Sequence, residues 1–268
     1  MKLDILAFAA HPDDIELSAS GTIMKHIAAG AKVGIVDLTQ GDLGSRGTIE
    51  TRYAEAEKSD EIMGTSIRVN LKMADGFFEI NEKNKRLIVE QIRRFKPEIV
   101  IANALSDRHP DHGRGSQLVS EACFLSGLLK VETSWDGINQ EKHRPNAVYH
   151  YIQDRLIKPD FVVDVSDFVD RKIEAIQAYS TQFYNPESTE PDTPISGEDF
   201  IEFLKSRMRC FGRDISTEYA EGFNVERTLF QLHRTELFEN LPENQLLLKL
   251  CAIQKIKLQQ ELWKMSRN

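Results

Sequence analysis

The sequence predicts an α/β, Rossmann-like fold: a mostly parallel sheet with helices on both faces, plus a C-terminal helical extension. Three observations lead there. Short apolar runs alternate with helical segments of about a dozen residues through the first half of the chain, the pattern of repeated βαβ units. At least one run, residues 98–102 (EIVIA), is of the type buried on both faces. With 268 residues, 41% of them hydrophobic, the chain is long enough for one large domain with an appendage.

The elements follow in order. Residues 3–9 form the first apolar run, and residues 15–29 follow with helical spacing and Gly30 as a stop. Residues 32–38 repeat the strand signal, residues 48–63 read as a helix ended by Gly64, and residues 67–71 as a third strand. Helical periodicity returns over residues 83–95 and is stopped by Pro97. The strand at 98–102 precedes another helix at 115–129. Beyond about residue 130 the alternation loosens, with strands expected at 147–152 and 161–165 and helices at 167–179 and 198–210. Residues 1–235 are read as one domain and 236–268 as the helical extension. Within that extension, residues 242–265 carry Leu246, Leu250, Ile253, Ile256 and Trp263 on roughly one stripe, suited to packing on the parent domain or to a subunit contact.

Composition excludes several function classes. A formal net charge of −8 argues against a nucleic-acid partner, because phosphate recognition needs clustered Lys and Arg. Cys123, Cys210 and Cys251 are odd in number, far apart and set among apolar neighbours, so they are expected to be reduced and mostly buried. The apolar stretch at residues 5–10 is too short for a secretory signal, and no window reaches the roughly 18 apolar residues of a membrane span. No membrane partner and a cytoplasmic location are expected.

In an open α/β sheet, ligands bind beyond the carboxyl ends of the strands. The loop after the first strand reads His11-Pro12-Asp13-Asp14-Ile15-Glu16, with no glycine before Gly21 to admit a pyrophosphate. The loop after residues 98–102 reads Asp107-Arg108-His109-Pro110-Asp111-His112. If the two strands are neighbours, both loops meet at one crevice. Imidazole nitrogens and carboxylate oxygens without thiolate suit a catalytic zinc with an open position rather than a closed structural site. Adjacent Asp13 and Asp14 then offer one ligand and one base for a water molecule, with helix capping as the ordinary alternative for either alone. His26, His143, His150 and His233 sit in no such cluster and read as ordinary surface or core histidines.

These paired motifs resemble those of the PIG-L/LmbE family of zinc-dependent N-acetylglucosamine deacetylases. The likeness extends through Thr39-x-Gly41-Asp42, Thr48-Ile49-Glu50-x-Arg52 and Tyr219-Ala220-Glu221-Gly222-Phe223, covering about residues 1–235. Within the family, the chain most resembles the bacillithiol biosynthesis deacetylases, which act on N-acetylglucosaminyl malate.

The resemblance implies His11, Asp14 and His112 as zinc ligands, with Fe2+ or another divalent ion able to take the same place, and Asp13 as the general base. It implies that His109, as imidazolium, meets the developing oxyanion or the departing amine. Asp111 is then expected to hold that imidazole charged. Arg52, Asp75 and Arg108 become the expected substrate contacts, a small-molecule amino sugar the expected ligand, and a homo-oligomer, trimer or hexamer, the expected assembly. For Arg52 the ordinary alternative is an ion pair along its helix with Glu55. For a malyl carboxylate, the loop arginines Arg46, Arg108 and Arg114 are the positive groups at hand.

Overall fold

A computed structural model describes residues 1–226. The expected domain boundary at residue 235, the stripe within 242–265, His233 and Cys251 lie outside the described residues.

The elements run β1 (Ile5–Ala9), α1 (Asp14–Ser18), α2 (Ser20–Ala28), β2 (Val33–Thr39), α3 (Ile49–Met63), β3 (Ile67–Met73), α4 (Glu82–Phe95) and β4 (Ile99–Ala102). There follow α5 (Pro110–Ser126), a two-residue hairpin of β5 (Ser134–Trp135) and β6 (Ile138–Asn139), β7 (Ala147–Tyr151), β8 (Phe161–Asp164), α6 (Val169–Gln177), α7 (Phe200–Arg213) and β9 (Ala220–Val225). Seven strands form one sheet in the order β3-β2-β1-β4-β7-β9-β8, parallel from β3 to β7 and antiparallel where β9 joins β7 and β8. The predicted α/β class is the one observed.

β1 is buried along its whole length because each of its faces meets a helical layer. Leu6 and Phe8 join one core with Ile88, Ile92, Phe95, Leu118 and Ala122, from α4 and α5. Ile5, Ala7 and Ala9 join the other with Ile15, Ile23, Met63 and Ala175, from α1, α2, α3 and α6. The chain runs outward from β1 to β3 and returns to β4 on the other side of β1, so the strand order reverses between these two neighbours. That reversal leaves a crevice at the strands' carboxyl ends.

The structure departs from the sequence expectations in several places, the β5–β6 hairpin among them. The helix expected at 15–29 is broken at Ala19 (φ −135°), where Glu221 accepts hydrogen bonds from the backbone N–H groups of Gly21 (3.0 Å) and Thr22 (2.7 Å). Glu221 comes 200 residues later in the chain, so no local pattern announces it. α5 begins at Pro110 rather than at 115, because proline at the first helical position gives up only an N–H that the first turn leaves unused. β9 was not expected, since Glu221 and Gly222 interrupt its apolar run. Lys172 neutralises Glu221 at 2.7 Å, and a Cβ at Gly222 would stand 3.0 Å from the Phe211 ring. Cys123 is buried as expected, whereas Cys210 lies exposed. Among the described residues, no helix is long and apolar enough to cross a membrane.

Candidate active site

Five loops at the carboxyl ends of β1, β2, β3, β4 and β7 line one cleft of about 250 Å³, with helix α7 contributing to its wall. His11 and Asp13 come from the first loop and Asp14 from the start of α1, His109 from the fourth loop and His112 from the first turn of α5, so both motifs meet as the pairing of β1 with β4 requires.

Asp14 is almost fully buried and heavily bonded. Its Oδ2 accepts from the His11 backbone N–H (3.0 Å) and from Asn103 Nδ2 (3.0 Å), and its Oδ1 accepts from Gln153 Nε2 (2.7 Å). Burial disfavours its charge, but His112 and His11 outweigh that and hold its carboxyl well below the usual range. His112 Nε2 stands 3.2 Å from Asp14 Oδ1, and His11 Nδ1 stands 3.7 Å from Asp14 Oδ2.

Each histidine turns its other nitrogen onto a carboxylate. His11 Nε2 meets Asp75 Oδ1 at 3.1 Å, and His112 Nδ1 meets Asp107 Oδ2 at 2.5 Å. Burial works against the charge of both aspartates, yet hydrogen bonding holds each below the usual carboxylate range: from His11 and the Leu43 N–H for Asp75, and from His112 and the Arg155 N–H for Asp107. An ionised carboxylate cannot donate, so the ring nitrogens facing Asp75 and Asp107 carry protons. His11 Nδ1 and His112 Nε2 then face the Asp14 carboxylate, where a second proton on each ring or a shared metal ion can stand between them. Such a group calls for a cation. Burial opposes charge on both rings, yet the surrounding carboxylates raise His11 well above its ordinary pKa and His112 to about 9.

The donor set fits a divalent metal: two imidazoles, one carboxylate and no thiolate, with each imidazole braced by an outer carboxylate as ligating histidines generally are. Ligating atoms of His11, His109 and His112 also lie within 4.8 Å of one another, as do those of His11, Asp75 and Asp111. His109, however, has committed one nitrogen elsewhere. It caps α5, its Nδ1 accepting from the Asp111 N–H at 3.3 Å.

That bond corrects an expectation. Asp111 was to hold His109 as imidazolium, but the Asp111 carboxylate is turned to Arg114 Nη1 (2.6 Å), the Gly76 N–H (2.8 Å) and His11 Nε2 (3.4 Å). Burial, with His11 and His112 beside it, lowers the pKa of His109. Both effects favour the neutral imidazole, and the Asp111 N–H bond to Nδ1 favours the tautomer with its proton on Nε2.

Asp13 adopts φ 122°, a left-handed conformation costly for a residue other than glycine. Arg52 holds it there. Its Nη1 donates to the Pro12 carbonyl (2.8 Å) and to Asp13 Oδ2 (3.0 Å), and Gly44 gives the guanidinium room, since a Cβ there would come within 3.3 Å of Nη2. Neither expectation for Arg52 describes these bonds. It lines the cleft as a brace on Asp13, while Glu55, its expected ion-pair partner on the helix, accepts instead from Ser180 and Thr181. Burial pushes the Asp13 carboxyl up to about 7, with Arg52 opposing and Asp14 adding to the rise.

The arginines expected to meet a substrate carboxylate divide. Arg108 lines the cleft, paired with Asp154 at 2.9 Å. Arg46 is turned to Ser188 beside a different cavity, and Arg114 is bound to Asp111 and the Gly76 carbonyl. Both placements correct the expectation, because internal acceptors occupy them. Asn103, Gln153 and the role of Asp107 went unread in the sequence; of these only Asp107 gave a signal, by its place in the second motif. His150, read as ordinary, lies directly behind the site, Nδ1 facing the Asn103 carbonyl at 2.9 Å.

Comparisons with known proteins place the chain among N-deacetylases. The family described as PIG-L, GlcNAc-PI de-N-acetylase, matches residues 6–123. The diacetylchitobiose deacetylase of Thermococcus kodakarensis is 28% identical over 236 residues, 84% of this chain and 84% of that protein. A Bacillus anthracis protein named "Probable N-acetyl-alpha-D-glucosaminyl L-malate deacetylase 2" is 24% identical over 192 residues, 67% of this chain and 81% of that protein. The crystal structure of the conserved protein TT1542 from Thermus thermophilus superposes with a TM-score of 0.76 at 32% identity, covering 87% of this chain and 98% of that one.

Proposed function

Because the chain belongs to the PIG-L family of N-deacetylases, we propose that it hydrolyses the acetamide of an N-acetylglucosaminide, with His11, Asp14 and His112 holding a zinc ion and Asp13 as the base. One observation carries this reading: a buried, strained carboxylate, Asp13, lies in the same cleft as the cation-demanding group of Asp14, His11 and His112. A pure binding site has no use for a base held there at such conformational cost.

A divalent ion bound by these residues supplies Lewis-acid polarisation of the acyl oxygen and makes water acidic near neutral pH. Asp13, raised to about 7, is suited to take the proton of the attacking water as it adds to the acetamide carbon. Arg52 keeps that carboxylate aimed. His109 Nε2–H donates to the acyl oxygen as negative charge develops there, a kind of interaction worth on the order of 3–4 kcal/mol. The proton held by Asp13 is then available to the departing amine, so acetate and a free amino sugar leave.

The finer reading is that the aglycone is malate, as in bacillithiol biosynthesis. It is supported by the malate named for the Bacillus anthracis relative and by Arg108 at the cleft. The test is acetate release, with metal content, on N-acetylglucosaminyl malate, N,N'-diacetylchitobiose and N-acetylglucosamine, with and without a chelator. Release abolished by the chelator and restored by zinc is expected, fastest on the malate glycoside. Bound metal with no acetate from any of the three would overturn the proposal.

A further inference from the structure

Three arginines line the cleft, and two are occupied. Arg52 is spent on Asp13 and the Pro12 carbonyl, and Arg108, with its side chain 46% exposed, is paired with Asp154. The third, Arg207 on α7, is only 7% exposed. Among the described residues its one hydrogen bond is Nη2 to the Leu17 carbonyl at 3.3 Å. Among the described residues no carboxylate lies within ion-pair distance of it, although every other buried arginine except Arg93, which donates to three backbone carbonyls and Thr133, is matched by one.

A buried guanidinium with one long hydrogen bond is expensive, because its desolvation is not offset by a counter-charge. Desolvation draws Arg207 down to about 10, with Asp154, Asp107 and Glu221 too distant to cancel it. Leu17, Ile195, Phe200 and Leu204 line the same cleft, and apolar wall of this kind would strengthen a charge pair formed there. The remaining donors form a planar fork of the shape that receives a carboxylate or phosphate bidentately.

We propose that Arg207 is the anion anchor of this cleft: it receives the negatively charged group of the substrate's aglycone and makes the enzyme select amino-sugar glycosides with an acidic aglycone. This rests on the deacetylase reading above and adds a specificity-determining residue to it. Arg207 touches the aglycone and has no part in the hydrolysis itself.

The test separates binding from turnover. Calorimetry measures Kd of the amine products, which react no further: glucosaminyl malate, glucosamine 1-phosphate and neutral methyl glucosaminide, on the zinc-loaded wild type, Arg207→Gln and Arg108→Gln. The wild type should favour an acidic glycoside by about tenfold or more, and Arg207→Gln should erase most of that ratio while Arg108→Gln erases less. Whether the malate or the phosphate glycoside binds tighter identifies the anion. Equal affinities in the wild type, an unchanged ratio in Arg207→Gln, or a ratio lost only in Arg108→Gln would overturn the anchor. If Arg207→Gln does not fold, glucosaminyl malate and its dimethyl ester are compared on the wild type and on Arg207→Lys. Equal binding of acid and ester, or a full preference in the lysine variant, whose ammonium lacks the fork, would count against it. Acetate release from the matching N-acetyl glycosides judges the deacetylase reading separately, since the affinity ratio stands whether or not the amide is cleaved.

Discussion

At Asp13, backbone and charge are both held away from their resting states, by Arg52 for the one and by burial for the other. A base acts in its ionised form, so with the carboxyl raised to about 7 the active fraction falls as pH drops below that value. kcat/KM should therefore decline about tenfold per pH unit on the acid side and level off above, with a bound dication moving the break downward. A profile with no acid limb at all, down to the pH at which the fold is lost, would contradict this role. Asparagine tolerates a positive φ better than most residues, so Asp13→Asn tests the carboxylate with least disturbance to the turn; a loss of about 10²- to 10⁴-fold in kcat is expected. Asp107 acts one contact further out. Asp107→Asn should weaken zinc binding by about 10- to 100-fold, read by competition with a chromophoric chelator, because His112 Nδ1 loses its charged partner. Asp75 was read in the sequence as a substrate contact and Asp107 only as part of the second motif, and neither was read as the partner of a histidine. A carboxylate's role depends on which ring nitrogen it meets, and Asp75 meets His11 across 64 residues.

Between elements, the least legible feature is the buried join of α2, α6 and β9. Lys172 Nζ donates to Glu221 Oε1 (2.7 Å) and to the Glu16 carbonyl (2.9 Å), and Glu221 caps the first turn of α2. Both side chains are almost fully buried. Removing one partner leaves an uncompensated charge, so Lys172→Met should destabilise the fold by about 3–5 kcal/mol in urea unfolding. The double variant Lys172→Met/Glu221→Gln should recover part of that loss; no recovery would show that the two charges are not coupled. Strands β1 to β4 were readable because helices cover both faces and force apolar runs. β9 was not, because its glutamate is neutralised by a residue 49 positions away. The start of α5 was misread because Pro110 looks like a breaker until His109 is seen to cap the helix.

On the scale of the whole molecule, the sheet brings together loops that are distant in sequence. β1 and β4 pair although more than 90 residues separate Ile5 from Ile99, and their loops supply the two motifs. The motifs could therefore be read from the chain, while the cleft's other wall, from α7, could not. A metal bound at this junction ties the loops together and stabilises the folded state by mass action, about 2.7 kcal/mol at a free concentration a hundredfold above Kd. Chelation should then lower Tm by roughly 5–10 °C, as expected for that loss in a domain of this size, read by calorimetry with and without added zinc. An unchanged Tm would mean that the ion contributes nothing to the fold. The central claim, amide hydrolysis by Asp13 beside a metal held by His11, Asp14 and His112, is tested most directly by measuring metal content and acetate release on the same samples of wild type and Asp13→Asn. The account predicts equal zinc in both proteins and acetate from the wild type alone. Near-normal acetate release by Asp13→Asn, or zinc-loaded wild type that releases none, would contradict it.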